Sequence, residues 1–426
     1  MHTARLPILA LVLAPLAAPL GGCTEYFDVD EACSENLVGS GQLDPDEKDA
    51  MLRMNCYRRL AGVTRMTANG NVQIAARGTI AYTQQNPSVG ALLGTTGPVT
   101  WLRESQDAPG YTGSNLFQRL TGDPITGGAG YAIANLRTTG SREYIYIEYG
   151  IGNVEFPSGA EAVDHLMRIP DFRQSALQPS FIDGAFAEGE LSEDWFTEGG
   201  WGLGDANGGI SPTPHGKVYY FVTLFEEPHT EHVATPVLLP KEDQVDVPLY
   251  SWSINRNFVI DGGGYAPTQI SYPVTLLMGS VTPEHFVDVD QNQYSAYIDA
   301  AAIVGPDGTL PTHVVHPGDE AVDSWPSGIN LRTTLAIYTR RPFEPNTKYQ
   351  VLADLTTPDG QFRVDYSFRT AKQDPGVDRN VGVTGDTTAA PQARRLQPGQ
   401  TASAGGVQDH PAGTWGPERS PQIIVP

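Results

Sequence analysis

Positive charge and cysteine are what this chain has least of. Lys and Arg number 27 against 49 Asp and Glu, a formal net charge of −22. A chain so acidic lacks the positive face needed to follow a phosphate backbone, which excludes nucleic acid as a partner. Three cysteines in 426 residues exclude a disulfide-dense scaffold. No stretch is long and apolar enough to cross about 30 Å of hydrocarbon as a helix. There is no G-x-S-x-G elbow, no phosphate-binding loop and no dinucleotide fingerprint. Wholesale disorder is excluded as well, because hydrophobic content is 40% and aromatic residues are spread along the chain. The length allows two or three domains at roughly 150 residues each. Gly 46 and Pro 34 predict many turns.

What is present begins with a leader-like segment. Arg5 supplies positive charge, and Leu6 to Leu20 form a short apolar run broken by Pro7, Pro15 and Pro19. The run ends Leu20-Gly21-Gly22-Cys23. An apolar residue, two small residues and a cysteine resemble a bacterial lipobox. The resemblance implies a signal peptide over residues 1–22 and a lipid on Cys23, which becomes the mature N-terminus. That lipid is then the only membrane anchor expected. Thr24, where Asp is absent, resembles sorting to the outer membrane. The expected address is therefore the bacterial cell envelope. In such an oxidising compartment Cys33 and Cys56 are expected to form a disulfide; the alternative is one buried and one exposed thiol.

Residues 23–43 read as a lead-in linker, and residues 44–228 as the first domain. Asp44, Pro45, Asp46 and Glu47 predict a helix start, with Ala50, Met54, Tyr57 and Ala61 on one face and Gly62 as its stop. A second helix is predicted from about Asn71 to Gln85. Glu143 to Ile151 alternate as a strand, Ser158 and Glu161 make a capping box, and Val218 to Phe225 read as a central strand. Residues 190–216 form a Gly- and Trp-rich insertion. From 236 to 371 the period becomes two: Leu331 to Tyr338, then Tyr349 to Leu355, then Phe362 to Phe368. That pattern predicts an antiparallel β-sandwich with one half-buried face per strand. Residues 372–426 are expected to be a disordered tail. The fold class expected is α+β.

Short motifs over about Asp44 to Phe225 resemble the CAP superfamily, the cysteine-rich secretory and pathogenesis-related proteins. Asn55-Cys56-Tyr57-Arg58 resembles its opening helix. Pro109-Gly110-Tyr111-Thr112-Gly113, Arg119 and Gly130-Tyr131 resemble its bacterial branch. Glu148-Tyr149-Gly150-Ile151 falls at its E-N-I, and Ala162-Val163-Asp164, Leu166-Met167, Pro170, Arg173, Leu177 and Pro179 follow its later motifs. The resemblance implies an α-β-α sandwich. Many members hold a divalent metal between two His and two Glu; here Phe172 replaces one His and none stands near Trp101 to Arg103 for the other. No metal and no other cofactor is therefore expected. Phe343-Glu344-Pro345-Asn346-Thr347-Lys348-Tyr349 and Tyr366-Ser367-Phe368-Arg369-Thr370 resemble bacterial immunoglobulin-like modules, which act as spacers or adhesive units.

The remaining constellations are thin. His229 with His232, and His313 with His316, have a ligand spacing that serves a helix, but they lie in linker or strand. Asp288, Asp290 and Asn292 begin like a calcium loop, yet Gln293 stands where glycine is needed. Trp195 and Trp201 lie in the Gly-rich insertion, where they either gate an apolar groove or cover a sheet edge. The expectation is a non-enzymatic binding protein for a sterol, a fatty acid or an envelope partner, with Glu148, Asp164, Trp195 and Trp201 as ligand-binding candidates and no catalytic residue assigned. A hydrolase with Glu148 and Asp164 as an acid pair, and a purely structural spacer, are the competing readings.

Overall fold

Asp44 starts the first helix as the sequence predicts. Its carboxylate accepts the Glu47 N–H at 2.8 Å, and Glu47 accepts the Asp44 N–H at 3.0 Å, which closes a capping box. Helix α1 (Pro45–Leu60) buries Ala50, Met51, Met54 and Tyr57 and ends in Arg58 and Arg59, which suit the negative helix end. Helix α2 (Gly70–Gln85) is capped by Asn69, whose side chain accepts from Asn71 and Val72. Three shorter helices follow: α3 (Leu116–Thr121), α4 (Gly159–Leu166) and α5 (Pro170–Leu177). Proline at the first position of α5 restarts the helix directly after the α4 stop.

This computed structural model describes residues 26–39, 41, 43–86, 104–113, 116–121, 145–154, 156–179, 181–191, 216–225, 236–251, 258–260, 263–265, 270–277, 297–316, 334–357 and 360–374.

The first sheet has strands β1 (Thr67–Ala68), β2 (Ile145–Val154), β3 (Phe181–Leu191) and β4 (Gly216–Phe225) in the order β1-β3-β4-β2. Only β1 runs parallel to its neighbour. The two-residue period of β3 divides the helices between the faces. A side chain at Gly184 would collide with Met66 and press on Met51 of α1, and one at Gly189 would collide with Ile80 of α2. Phe186, Tyr219 and Phe221 share the Gly184 face with Phe156 and Phe172. Helices thus cover both faces of this sheet.

The second unit holds two four-stranded antiparallel sheets. Strands β5 (Val237–Leu239), β8 (Val274–Leu277), β11 (Thr312–Val315) and β12 (Thr334–Thr339) lie in the order β11-β12-β8-β5. Strands β9 (Tyr297–Gly305), β10 (Gly308–Leu310), β13 (Lys348–Thr357) and β14 (Gly360–Arg369) lie in the order β10-β9-β13-β14. A short hairpin joins β6 (Phe258–Ile260) to β7 (Gly263–Tyr265). On β14, Phe362, Val364, Tyr366 and Phe368 are buried while Gln361 and Arg369 are exposed, the alternation read from the sequence.

β12 behaves differently. All six of its residues are buried, and so are all four of β8. The reason is α5, which lies between the first sheet and the β12–β8 pair. One apolar core therefore runs from Met54 through Phe172 to Val274, Ile337 and Val351. Mixed α+β is the class observed. The described fold continues to Asp374, which is buried although it stands within the expected tail.

Candidate functional site

The carboxylate singled out in the sequence, Asp164, lies on α4 where that helix crosses α1. One of its oxygens accepts from Arg53 Nε at 2.6 Å and from the Tyr57 hydroxyl at 2.9 Å. Arg53 and Tyr57 are one helical turn apart on α1, so both reach the same point. Arg53 also pairs with Asp30 of the lead-in. Burial raises the Asp164 carboxyl above its ordinary value, and Arg53 and Tyr57 pull it back only in part. Burial is the largest influence on the Arg53 charge and works against it, but Asp164, Tyr57 and Asp30 together outweigh it and hold the guanidinium above its usual value. Burial first, then Asp164, pushes the Tyr57 phenol well up. With the Asp164 side chain still 32% exposed, the cluster sits at the rim of the interior.

Behind it, the α4–α5 corner is bolted to the second unit by two arginines. Arg168 pairs with Asp374 at 2.7 Å, and the other Asp374 oxygen accepts the Leu249 N–H at 2.8 Å. The Arg168 carbonyl accepts from the Ser251 hydroxyl. Arg173, fully buried, donates to the carbonyls of Met167, Leu239 and Pro273 and to Thr275 Oγ1. Its guanidinium stacks 4.1 Å from the Tyr272 ring centroid. Burial lowers the Arg173 pKa, since its partners are neutral oxygens and no carboxylate balances it. Arg58 is buried in the same way, donates to the carbonyls of Thr64, Ala176 and Gln178, and is pulled down by burial to about 9.

A second carboxylate is enclosed on the opposite face of the first sheet. Glu104 accepts from Thr112 N, Thr112 Oγ1, Gly113 N and Arg119 Nη1. Arg119 also donates to the Tyr220 hydroxyl of β4 at 3.0 Å. Gly113, at φ +149°, is held so close that an added Cβ would lie 2.7 Å from Arg119 N. Thr112 and Gly113, at the end of the Pro109-to-Gly113 motif, thus close over the Glu104 side chain and fix the loop.

The other candidates fall as follows. Cys33 and Cys56 are joined in a disulfide. Glu148 lies on β2 opposite Val222 of β4; its side chain is outside the described residues. Cys23, Trp195, Trp201, His229, His232, Asp288, Asp290 and Asn292 are outside them as well. Phe172 is a core residue whose ring meets Phe221 at 5.0 Å. His313 lies on β11 and His316 directly after its end, so the pair is not on a helix, where that spacing would bring two ligands together. Among the described residues no group of three or more His, Cys, Asp or Glu is placed to hold a metal ion. Sequence reasoning missed Arg53, Arg168, Asp374 and Glu104. The only local signal was that Arg168 stands between Met167 and Ile169, and Arg173 directly after Phe172, each a charge beside buried apolar residues.

The chain matches no model of a known protein family and no curated protein.

Proposed function

We propose that this chain is a lipid-anchored envelope protein whose first unit is a CAP-like binding module and whose second is an immunoglobulin-like support. The proposed role is non-enzymatic: holding an apolar ligand such as a sterol or fatty acid, or an envelope partner. The observation that carries this reading is the engagement of Asp164. A carboxylate whose oxygen already accepts from both Arg53 and Tyr57 serves as a clamp between α1 and α4. The Cys33–Cys56 disulfide supports an oxidising compartment. The test is native mass spectrometry of the mature chain released from its host envelope. A reproducible lipid-sized adduct beyond the anchor supports the reading, whereas a bare mass leaves a spacer role, and a zinc-sized adduct contradicts it.

The hydrolase alternative has one observation in its favour, the raised Asp164 carboxyl, which is the property of a general acid. It requires that Asp164→Asn abolish turnover of an envelope polymer while the fold persists.

A further inference from the structure

The lead-in is tied to both units at once. Arg59 of α1 lies over the Tyr26 ring, 4.8 Å from its centroid, and donates to its hydroxyl. The next carbonyl, that of Phe27, accepts the Val245 N–H of the second unit at 2.8 Å. Lys241 Nζ stands 5.5 Å from the Phe27 ring centroid. Despite these contacts the Phe27 side chain is exposed, at 41%. Ile74 and Val38 are the other exposed large hydrophobic residues among those described.

Chain length limits what can happen next to this staple. Three peptide links separate Cys23 from Tyr26, and fully extended they span at most about 11 Å. A lipid on Cys23 therefore holds its bilayer within that reach of Tyr26. Because Tyr26 and Phe27 touch both units, neither unit can stand away from the membrane on a long stalk.

Resting on the reading that Cys23 is lipidated, we propose that the edge formed by Tyr26, Phe27, Arg59 and Lys241 is the surface that lies on the bilayer. An aromatic ring beside cationic side chains suits the headgroup layer, where the ring meets the acyl boundary and the charges stay wet. Asp28 follows Phe27, Glu242 and Asp243 follow Lys241, Asp246 follows the Val245 bonded to Phe27, and Glu31 accepts the Phe27 N–H at 2.8 Å. An anionic surface would repel them, so the fitting partner is a zwitterionic phospholipid surface.

The test uses the full mature chain, purified with its lipid and reconstituted in phosphatidylcholine vesicles. A spin label is placed at Glu242→Cys, and reference labels at Ile74→Cys on the outer side of α2 and at Gln361→Cys at the far end of β14. Collision with oxygen, which concentrates in lipid, is compared with collision with a nickel chelate, which stays in water. The expected result is a gain in oxygen access and a loss of chelate access at position 242 alone. The mass of the N-terminal peptide from the same sample reads the state of Cys23. An acylated Cys23 with position 242 as water-exposed as the references overturns the proposed face and leaves the anchor intact. Lipid contact at 74 or 361 in place of 242 does the same. A Cys23 without lipid overturns both the anchor and the face.

Discussion

Arg168 and Asp374, 206 residues apart in sequence, form a 2.7 Å ion pair in which each side chain is only 3% exposed. Both charges have left water, so each depends on the other. Asp374→Ala strands the Arg168 guanidinium and removes the acceptor of the Leu249 N–H. It is expected to cost about 3–5 kcal/mol in urea unfolding, while the double change Arg168→Met with Asp374→Leu costs much less. A chain ending at 371 is expected to melt below one ending at 374.

Arg173→Met removes four donated hydrogen bonds, three of which reach the second unit. Leaving buried carbonyls without donors costs about 1–3 kcal/mol each. The expected outcome in scanning calorimetry is a lower Tm and a single transition split into two, as the units uncouple. A single transition of unchanged width and midpoint would refute the bolt.

The disulfide closes a loop with a sequence separation of 23. The chain-entropy account gives about 3 kcal/mol for a loop of this size. Replacing both Cys33 and Cys56 with Ser is expected to lower unfolding stability by about that amount. Since the disulfide fastens the lead-in to α1 beside the Arg53–Asp30 pair, the double variant is also expected to loosen the lead-in, read as faster amide exchange over residues 26–37.

Asp164 makes a pH prediction. Its carboxyl is raised from the model-compound value of 3.8, mainly by burial. The folded state therefore binds this proton more tightly than the unfolded chain does. Its favourable contribution is fully present below 3.8 and is lost as pH rises through the folded pKa. The stability of the native chain relative to Asp164→Asn is expected to fall across that window. Arg53→Met is expected to move the carboxyl titration, followed by NMR, further upward.

Local structure was legible wherever one segment contained its own reasons. The α1 capping box needs only Asp44 and Glu47, three apart, and the β14 alternation is visible in ten consecutive residues. Strand β3 was harder to read, because its glycines and alanines carry no β signature and its burial depends on helices packed over both faces. The all-buried β12 was equally hidden: alternation in its sequence predicts one wet face, and only the presence of α5 fills it. Asp164 was legible as a candidate, but Arg53 and Tyr57 as its partners were not, since they stand 111 and 107 positions away in sequence.

By itself, then, the sequence determined the α+β class, the helix caps, the period-two strands of the second unit and the acidic surface, all of which rest on composition or on contacts within a few residues. Tertiary structure alone decided that the two units share one core, that Arg168 and Arg173 bolt them together, that Glu104 is enclosed by its own loop, and that Asp374 belongs to the fold. The physical reason is common to all four: a charge inside a protein is tolerated only beside the donor or acceptor that satisfies it, and that partner is chosen by packing across the chain rather than by spacing along it.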